Sequence, residues 1–214
     1  MGKRINILAG GPKEKWPADL FEQNGDWIGA DRGAYRLLKA GFPMVAAVGD
    51  FDSLNDEEKE ELHGYLNDDQ IKVYPPKKDY TDTQIALLAA FEHGAEDIVL
   101  YGATGGRLDH ELSNLTIPTQ DEFKHLAGHL SIVDNQNTIT YLDVDHQVVN
   151  KQPGYKYLGF MPLGIVDNFK IIDALYPLTL EKNSGTMYSS NEFVGELVHT
   201  SFDCGIVLVT QSNG

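Results

Sequence analysis

Two periodicities divide the chain near residue 135. Before it, short β-rich runs at 4–9, 27–30, 44–48, 71–74, 98–101 and 130–133 alternate with segments at 33–40, 56–66 and 81–93, whose apolar residues recur at three and four positions. The short runs have the length and residue types of buried strands; the longer segments have the stripe of a helix laid on a core. In 81–93 the stripe reads Ile85, Leu88, Ala89 and on to Glu92, and Gly94 supplies a stop. Strands alternating with helices imply an α/β, Rossmann-like fold with a parallel sheet and helices on both faces. After residue 135 the helical signal fades. Runs at 138–142, 155–161, 169–173, 195–199 and 205–210, separated by turn residues, suit a small antiparallel sandwich or barrel. Two domains are therefore expected, 1–134 and 135–214, with no repeat or flexible linker between them.

Charge changes the picture next. Acidic residues outnumber basic ones 32 to 17, a formal net charge of −15, which argues against a nucleic-acid partner because neutralising phosphates needs clustered Lys and Arg. Most of this excess reads as a solubilising surface. If the protein handles phosphates its own charge repels them, and divalent cations become the natural bridge. No apolar run approaches the roughly 18 residues of a membrane span, and the apolar stretch after Lys3-Arg4 is too short for a signal-peptide core. Cys204 is the only cysteine, which rules out an intrachain disulfide and a cysteine-rich zinc site. A cytoplasmic protein, off the membrane, is the expectation.

Ligands of open parallel sheets bind at the carboxyl ends of the strands. There the sequence places Gly10-Gly11, Asp31-Arg32-Gly33, Gly49-Asp50-Phe51-Asp52-Ser53, Asp79-Tyr80-Thr81-Asp82 and Gly102-Ala-Thr-Gly-Gly-Arg-Leu-Asp109. Asp50 and Asp52, two apart just past a strand, can turn onto one ligand, and hard carboxylate oxygens suit Mg²⁺ held together with substrate phosphates and water. The competing reading makes Asp52 or Ser53 a cap for the helix that starts near Asn55. Asp79 or Tyr80 stands near the N-cap of the helix beginning at Thr81, where a carboxylate also satisfies the helix dipole; Asp82 and Thr81 add oxygens there. Gly105 and Gly106 permit a nest of backbone N–H groups and Arg107 a fork of donors for phosphate, against a plain turn with an Arg107–Asp109 pair. The G-x-x-x-x-G-K-[ST] phosphate loop is absent. His125 and His129 lack the intervening Glu of a zinc protease and read as surface or core histidines.

Taken together, Gly49-Asp-Phe-Asp-Ser53, Lys78-Asp79-x-Thr81-Asp82 and Gly102-x-Thr-Gly-Gly-Arg-Leu-Asp-His110 followed by Ser113-Asn114 resemble the thiamine pyrophosphokinase family in order and spacing. Asp31-Arg-Gly-Ala34, Tyr176-Pro-Leu178 and Ser190-Asn191-Glu192 resemble further family signatures, whereas Asp173 stands where the family often has Gly. The resemblance implies an α/β domain followed by a β-sandwich, a homodimer, and transfer of the diphosphoryl group of ATP to the hydroxyl of thiamine, giving thiamine diphosphate and AMP. It also implies a catalytic set of Asp50, Asp52, Asp79, Asp82, Arg107 and Asp109. In that set Asp50, Asp52 and Asp82 hold Mg²⁺, with Asp79 and Thr81 shaping the shell. Thr104, Gly105, Gly106 and Arg107 hold ATP phosphates, Asp31, Gly33 and Ser53 complete the cofactor side, Asp109 meets the cationic thiamine or orients its hydroxyl, and Ser190 and Asn191 read the aminopyrimidine in the same subunit or across a dimer. Two rivals belong to other classes. A haloacid-dehalogenase-like phosphatase would use Asp50-x-Asp52, but Leu54 stands where that motif expects Thr or Val and the Gly102–His110 cassette has no place in it. A sensor module would bind nucleotide or vitamin without turnover.

Overall fold

The computed structural model describes residues 2–67, 69–73 and 80–213. They form two compact units, Met1–Asn114 with Val133–Asn135, and Leu115–Ile132 with Gln136–Gly214.

In the first unit β1 (Arg4–Leu8), β2 (Asp26–Ala30), β3 (Ala46–Gly49), β4 (Ile71–Val73) and β5 (Asp97–Tyr101) are the strands, and α1 (Arg32–Lys39), α2 (Asp56–Tyr65), α3 (Asp82–Glu92) and α4 (Leu108–Thr116) the helices. The strands pair in parallel in the order β5-β1-β2-β3-β4, with Leu8 opposite both Gly29 and Tyr101. The chain thus steps from β1 toward β4 and returns to the other side of β1 with β5. That reversal puts the topological switch between β1 and β5, where such sheets open a crevice for ligands.

Leu8, Trp27, Ala47, Val99 and Tyr101 point to one face of the sheet and pack with Ala34 and Leu37 of α1 and Leu62 of α2. Alternation sends Ile5, Ile7, Ile28, Val48, Ile98 and Leu100, all buried, to the other face, where α3 lies against β1, β2 and β3. The expectation of a single stripe on this helix is corrected. Thr83, Gln84, Ile85, Ala86, Leu87, Ala89 and Ala90 are all buried, whereas Leu88 is only partly so, and Glu92 is exposed. A run of alanines lets α3 sink into its neighbours almost all round.

Helix starts follow local chemistry. Asn55 caps α2 by accepting from Glu58 N (2.9 Å) while Glu58 Oε2 accepts from Asn55 N (3.0 Å), a reciprocal capping box. Neither Asp52 nor Ser53 is the cap. Thr81 does the same for α3 with Gln84, so the N-cap is neither Asp79 nor Tyr80.

The second unit begins with short 3₁₀ turns between 117 and 126 and β6 (Leu130–Val133). It continues through β7 (Asn137–Leu142), β8 (Val148–Asn150), β9 (Tyr157–Leu163), β10 (Ile165–Ile171), β11 (Leu178–Ser184), β12 (Tyr188–Glu192), β13 (Leu197–Ser201) and β14 (Ile206–Ser212). Antiparallel pairs build the sheets β12-β9-β14-β7 and β11-β10-β13-β8. Their inner residues, among them Leu158, Phe160, Val207 and Val209 from the first and Val166, Phe169, Ile171 and Val198 from the second, share one core. This is a sandwich rather than a barrel, and it contains strands at 148–150, 178–184 and 188–192 that the hydrophobic pattern did not announce.

Candidate functional site

All five parallel strands run the same way, so the residues that follow β1, β2, β3 and β5 meet at one edge. The loops after β1, β2 and β5, with the start of α3 and the first two turns of α4, line a cavity of about 640 Å³. Gly10, Gly11, Asp31, Asp82, Thr104 and Arg107 are in its wall, and each belongs to the first unit.

One side of the edge is acidic. Asp31 follows β2 as the N-cap of α1 with φ +48°, a conformation that only a few side chains tolerate outside glycine. One oxygen from each of Asp31, Asp50 and Asp52 lies within 4.8 Å of the others. Between the two loop aspartates Phe51, φ +55°, is buried in the core beside Leu54, which anchors the loop by its middle. Asp52 N–H donates to Asp50 Oδ1 at 3.0 Å. Gly49 makes room for the cluster: a Cβ there would lie 3.1 Å from Asp82 Oδ1 and 3.3 Å from Asp31 N. Asp31 Oδ1 is buried without a hydrogen-bond partner among the described residues. A buried, unshared carboxylate oxygen facing two more carboxylates is a donor set for a hard cation. Mg²⁺, which takes oxygen ligands and keeps several waters, fits it.

Asp82 feels the same field. Burial first, then the charges of Asp31, Asp50 and Asp52, push its carboxyl up to about 6, against a partial offset from the Asp50 N–H that donates to it. Its folded pKa stands above its unfolded one, so the folded chain keeps a proton that the unfolded chain has already released. This contribution to stability is complete below the unfolded pKa and disappears as pH rises through about 6. Melting curves in EDTA are therefore expected to show the first unit more stable at about pH 5 than at about pH 8 through this group. Asp82→Asn removes that part of the slope and raises the melting temperature on the alkaline side. An unchanged slope in the variant contradicts the assignment.

The other side is rich in glycine. Gly11 N–H donates to Gly102 O at 2.8 Å, and a Cβ on Gly11 would sit 2.3 Å from that oxygen, so the two loops touch backbone to backbone across the switch point. Arg36 of α1 donates to Gly10 O (3.0 Å) and to Gly11 O, and lies over the Trp16 ring. Beneath the glycines, Thr104 Oγ1 donates to Asp134 Oδ2 (2.8 Å) and Asn114 Nδ2 to Ala103 O (2.9 Å), both buried. The anion donors themselves are engaged by the chain. Gly105 N–H donates to Glu111 Oε2 at 2.9 Å, and Arg107 forks onto Asp109 at 2.6 and 3.2 Å. The Arg107–Asp109 pair expected of a simple turn is thus present, on exposed side chains at the start of α4.

The edge brings together Asp31, Asp50, Asp52, Thr81, Asp82, Thr104, Gly105, Gly106, Arg107 and Asp109. Asp79 and Lys78 lie outside the described residues. Thr81 spends its hydroxyl on the α3 cap. Ser53 gives its carbonyl to Arg32, and its Oγ is buried without a partner among the described residues. Gly33 is a packing residue, for a Cβ there would lie 1.8 Å from Leu8 O. Ser190 and Asn191 belong to the second unit. Ser190, φ +62°, is exposed at a β-bulge, while Asn191 is buried and grips Tyr176 by both backbone groups, at 3.0 and 2.9 Å. Sequence reasoning missed Glu111 and Asp134. Their signal was the three-residue and four-residue spacing of an unrecognised helix for the first, and nothing local for the second.

A parallel α/β unit with its ligand cavity at the switch point, acidic on one flank and lined by close-packed glycines on the other, is the class of protein these features define. Comparison with known proteins is specific. A thiamin pyrophosphokinase catalytic-domain family model matches residues 18–126, and a thiamin pyrophosphokinase vitamin B1 binding-domain model matches 145–207. A thiamine pyrophosphokinase of Bacillus subtilis (strain 168) is 32% identical over 98% of this chain and 99% of its own. Among solved structures, a thiamin pyrophosphokinase family protein from Enterococcus faecalis superposes with a TM-score of 0.90 at 36% identity, covering 99% of this chain and 100% of its own. A protein from Lactobacillus plantarum gives a TM-score of 0.90 at 38% identity, covering 99% of each chain. The chain belongs to the thiamin pyrophosphokinase family of enzymes.

Proposed function

We propose that this enzyme transfers the diphosphoryl group of ATP to the hydroxyl of thiamine, with Mg²⁺, and releases thiamine diphosphate and AMP. The observation that carries the reading is the convergence of Asp31, Asp50 and Asp52 within 4.8 Å, with Asp82 beside them, on the edge that also bears the glycine cassette. Asp50, Asp52 and Asp82 are assigned to the metal, and Asp31 joins them. Mg²⁺ bound there supplies neutralisation of polyphosphate charge, the main requirement of phosphoryl chemistry.

The chain's own part is orientation. Gly105 N–H and Arg107 are the donors for ATP phosphates, with Thr104 and Gly106 shaping the turn, and they take up the nucleotide by exchanging Glu111 and Asp109 for phosphate oxygens. Asp109, released from Arg107, is then available to face the cationic acceptor or orient its hydroxyl. That oxygen gives up its proton to solvent and bonds to the β-phosphorus as the bond from β-phosphorus to the AMP oxygen breaks.

We assign the second unit to thiamine binding and homodimer formation, and the first to ATP and metal. The vitamin B1 binding-domain match at 145–207 supports the former assignment. The exposed Ile165, Ile172, Leu175, Tyr176 and Val194 give the second unit apolar surface for a second copy. With Asn191 committed to Tyr176, Ser190 is the side chain of that pair left to meet the aminopyrimidine. A free, exposed Cys204 accords with a reducing, cytoplasmic setting.

The test is chromatographic. Protein, ATP, Mg²⁺ and thiamine are expected to yield thiamine diphosphate and AMP in equal amounts, and EDTA abolishes both. Phosphate released from simple monoesters would replace this reading by the phosphatase; nucleotide binding with no AMP would replace it by the sensor.

A further inference from the structure

Arg32 stands where helix physics disfavours it. It is the first residue of α1, at the end whose dipole repels cations, and Arg36 one turn on repels it again. Burial and, next, the Arg32 charge lower the pKa of Arg36. A local preference broken in this way is expected where the residue gains elsewhere.

The gain is across the acidic edge. Arg32 Nη2 donates to the carbonyl of Ser53, and its two terminal nitrogens reach Glu58 Oε1 (3.2 Å) and Oε2 (3.4 Å). Glu58 is already fixed, because it closes the α2 capping box with Asn55. The contacts therefore run in one chain from Asp31, through its neighbour Arg32, to the last residue of the Asp50–Ser53 loop and the start of α2. Phe51 and Leu54 anchor the loop in the core, but neither touches the acidic side that carries Asp50 and Asp52 to Asp31. Three carboxylates within 4.8 Å repel one another, and although the strand ends are joined by the sheet, with Asp31 N–H donating to Val48 O at 2.8 Å, that repulsion acts on the loop beyond Gly49. A guanidinium fork supplies a fixed geometry that a point charge does not.

We propose that Arg32 is a positioning residue for the metal, clamping the Asp50–Ser53 loop to the start of α1 so that Asp50 and Asp52 stay at ligating distance from Asp31. This rests on the reading that the cluster holds a divalent cation, and the test separates the two. Free Mn²⁺ is followed by its EPR signal as it is titrated with full-length protein, without substrates, for the wild type, Arg32→Met, Arg32→Lys and Glu58→Gln. Groups that orient metal ligands typically govern about 10–100-fold of affinity. Arg32→Met is expected to weaken Mn²⁺ binding about tenfold at least, with Arg32→Lys recovering part of the loss and Glu58→Gln falling between. In turnover assays the Mg²⁺ needed for half-maximal rate rises in the same order, while KM for thiamine stays unchanged. Mn²⁺ affinity in Arg32→Met within about twofold of wild type overturns the clamp, as does a lysine variant no better than methionine. If Arg32→Met fails to fold, Glu58→Gln decides: unaltered Mn²⁺ affinity there rejects the proposal. A wild-type chain that binds no Mn²⁺ defeats the metal reading itself, and the clamp with it.

Discussion

Asp52→Asn is expected to lower kcat about 10²–10³-fold, the range found when a group that stabilises transition-state charge is removed, and to leave the protein folded. Asp52 is exposed, and its backbone N–H, which the substitution preserves, makes the bond to Asp50. The carboxylate itself sits among acidic neighbours, so in EDTA its loss relieves repulsion and the melting temperature holds or rises. Activity and stability thus move in opposite directions, which a variant damaged in its fold does not do. Paired measurement of kcat and the melting temperature in EDTA checks it, and full activity in Asp52→Asn removes this residue from the metal shell.

The largest expected effect on the fold comes from one methyl group. Gly33→Ala drives a Cβ to 1.8 Å from the Leu8 carbonyl and 3.1 Å from that of Ala9, backbone atoms at the end of β1 that have no rotamer to change. The helix must lift from the sheet, at a cost of about 3 kcal/mol or more, which for a chain of this size lowers the melting temperature by about 6–12 °C. Gly29 and Ala34 complete the contact, since a Cβ on Gly29 would fall 2.2 Å from Ala34 Cα. The control is Gly64→Ala in α2, where nothing lies within 4 Å, and which is expected to stabilise by about 0.5–1 kcal/mol. Thermal melts of the two variants should shift in opposite directions; equal shifts would mean that α1 does not lie this close to β1.

These two sites show what the sequence made legible and what it hid. Asp50 and Asp52 were readable because an apolar strand ended in two acids at a spacing of two, and strand ends are where such sheets bind. Asp31 was readable as a residue of that edge, but not as a third member of the carboxylate cluster, because its place depends on a φ of +48° that no residue pattern encodes. Gly33 was legible as a motif glycine, yet its reason is a helix–strand contact rather than a ligand. Helix α4 escaped because the glycine cassette that leads into it reads as a turn, although Leu108, Leu112 and Leu115 keep helical spacing. Leu108 and Leu112, one turn apart, are 68% and 53% exposed, while the buried member is Asn114. Strand β12 reads Tyr-Ser-Ser-Asn-Glu and carries a bulge, so alternation is lost where it would have identified the strand. Both helix caps, in contrast, were written in plain spacing, Asn55 with Glu58 and Thr81 with Gln84; nearer acids drew the assignment away from them.

The carboxylate of Glu111 on the Gly105 amide bears on how inhibitors of this enzyme are sought. A tethered group competes with any free ligand at an effective concentration on the order of millimolar. Weak acidic fragments will therefore lose to it and appear inactive in a screen, however well they match the turn. Compounds whose first contacts are apolar, against the close-packed faces of Gly11 and Gly102 whose N–H and carbonyl are bonded to each other, avoid that contest, and an anionic group added to them later has a lead to build on.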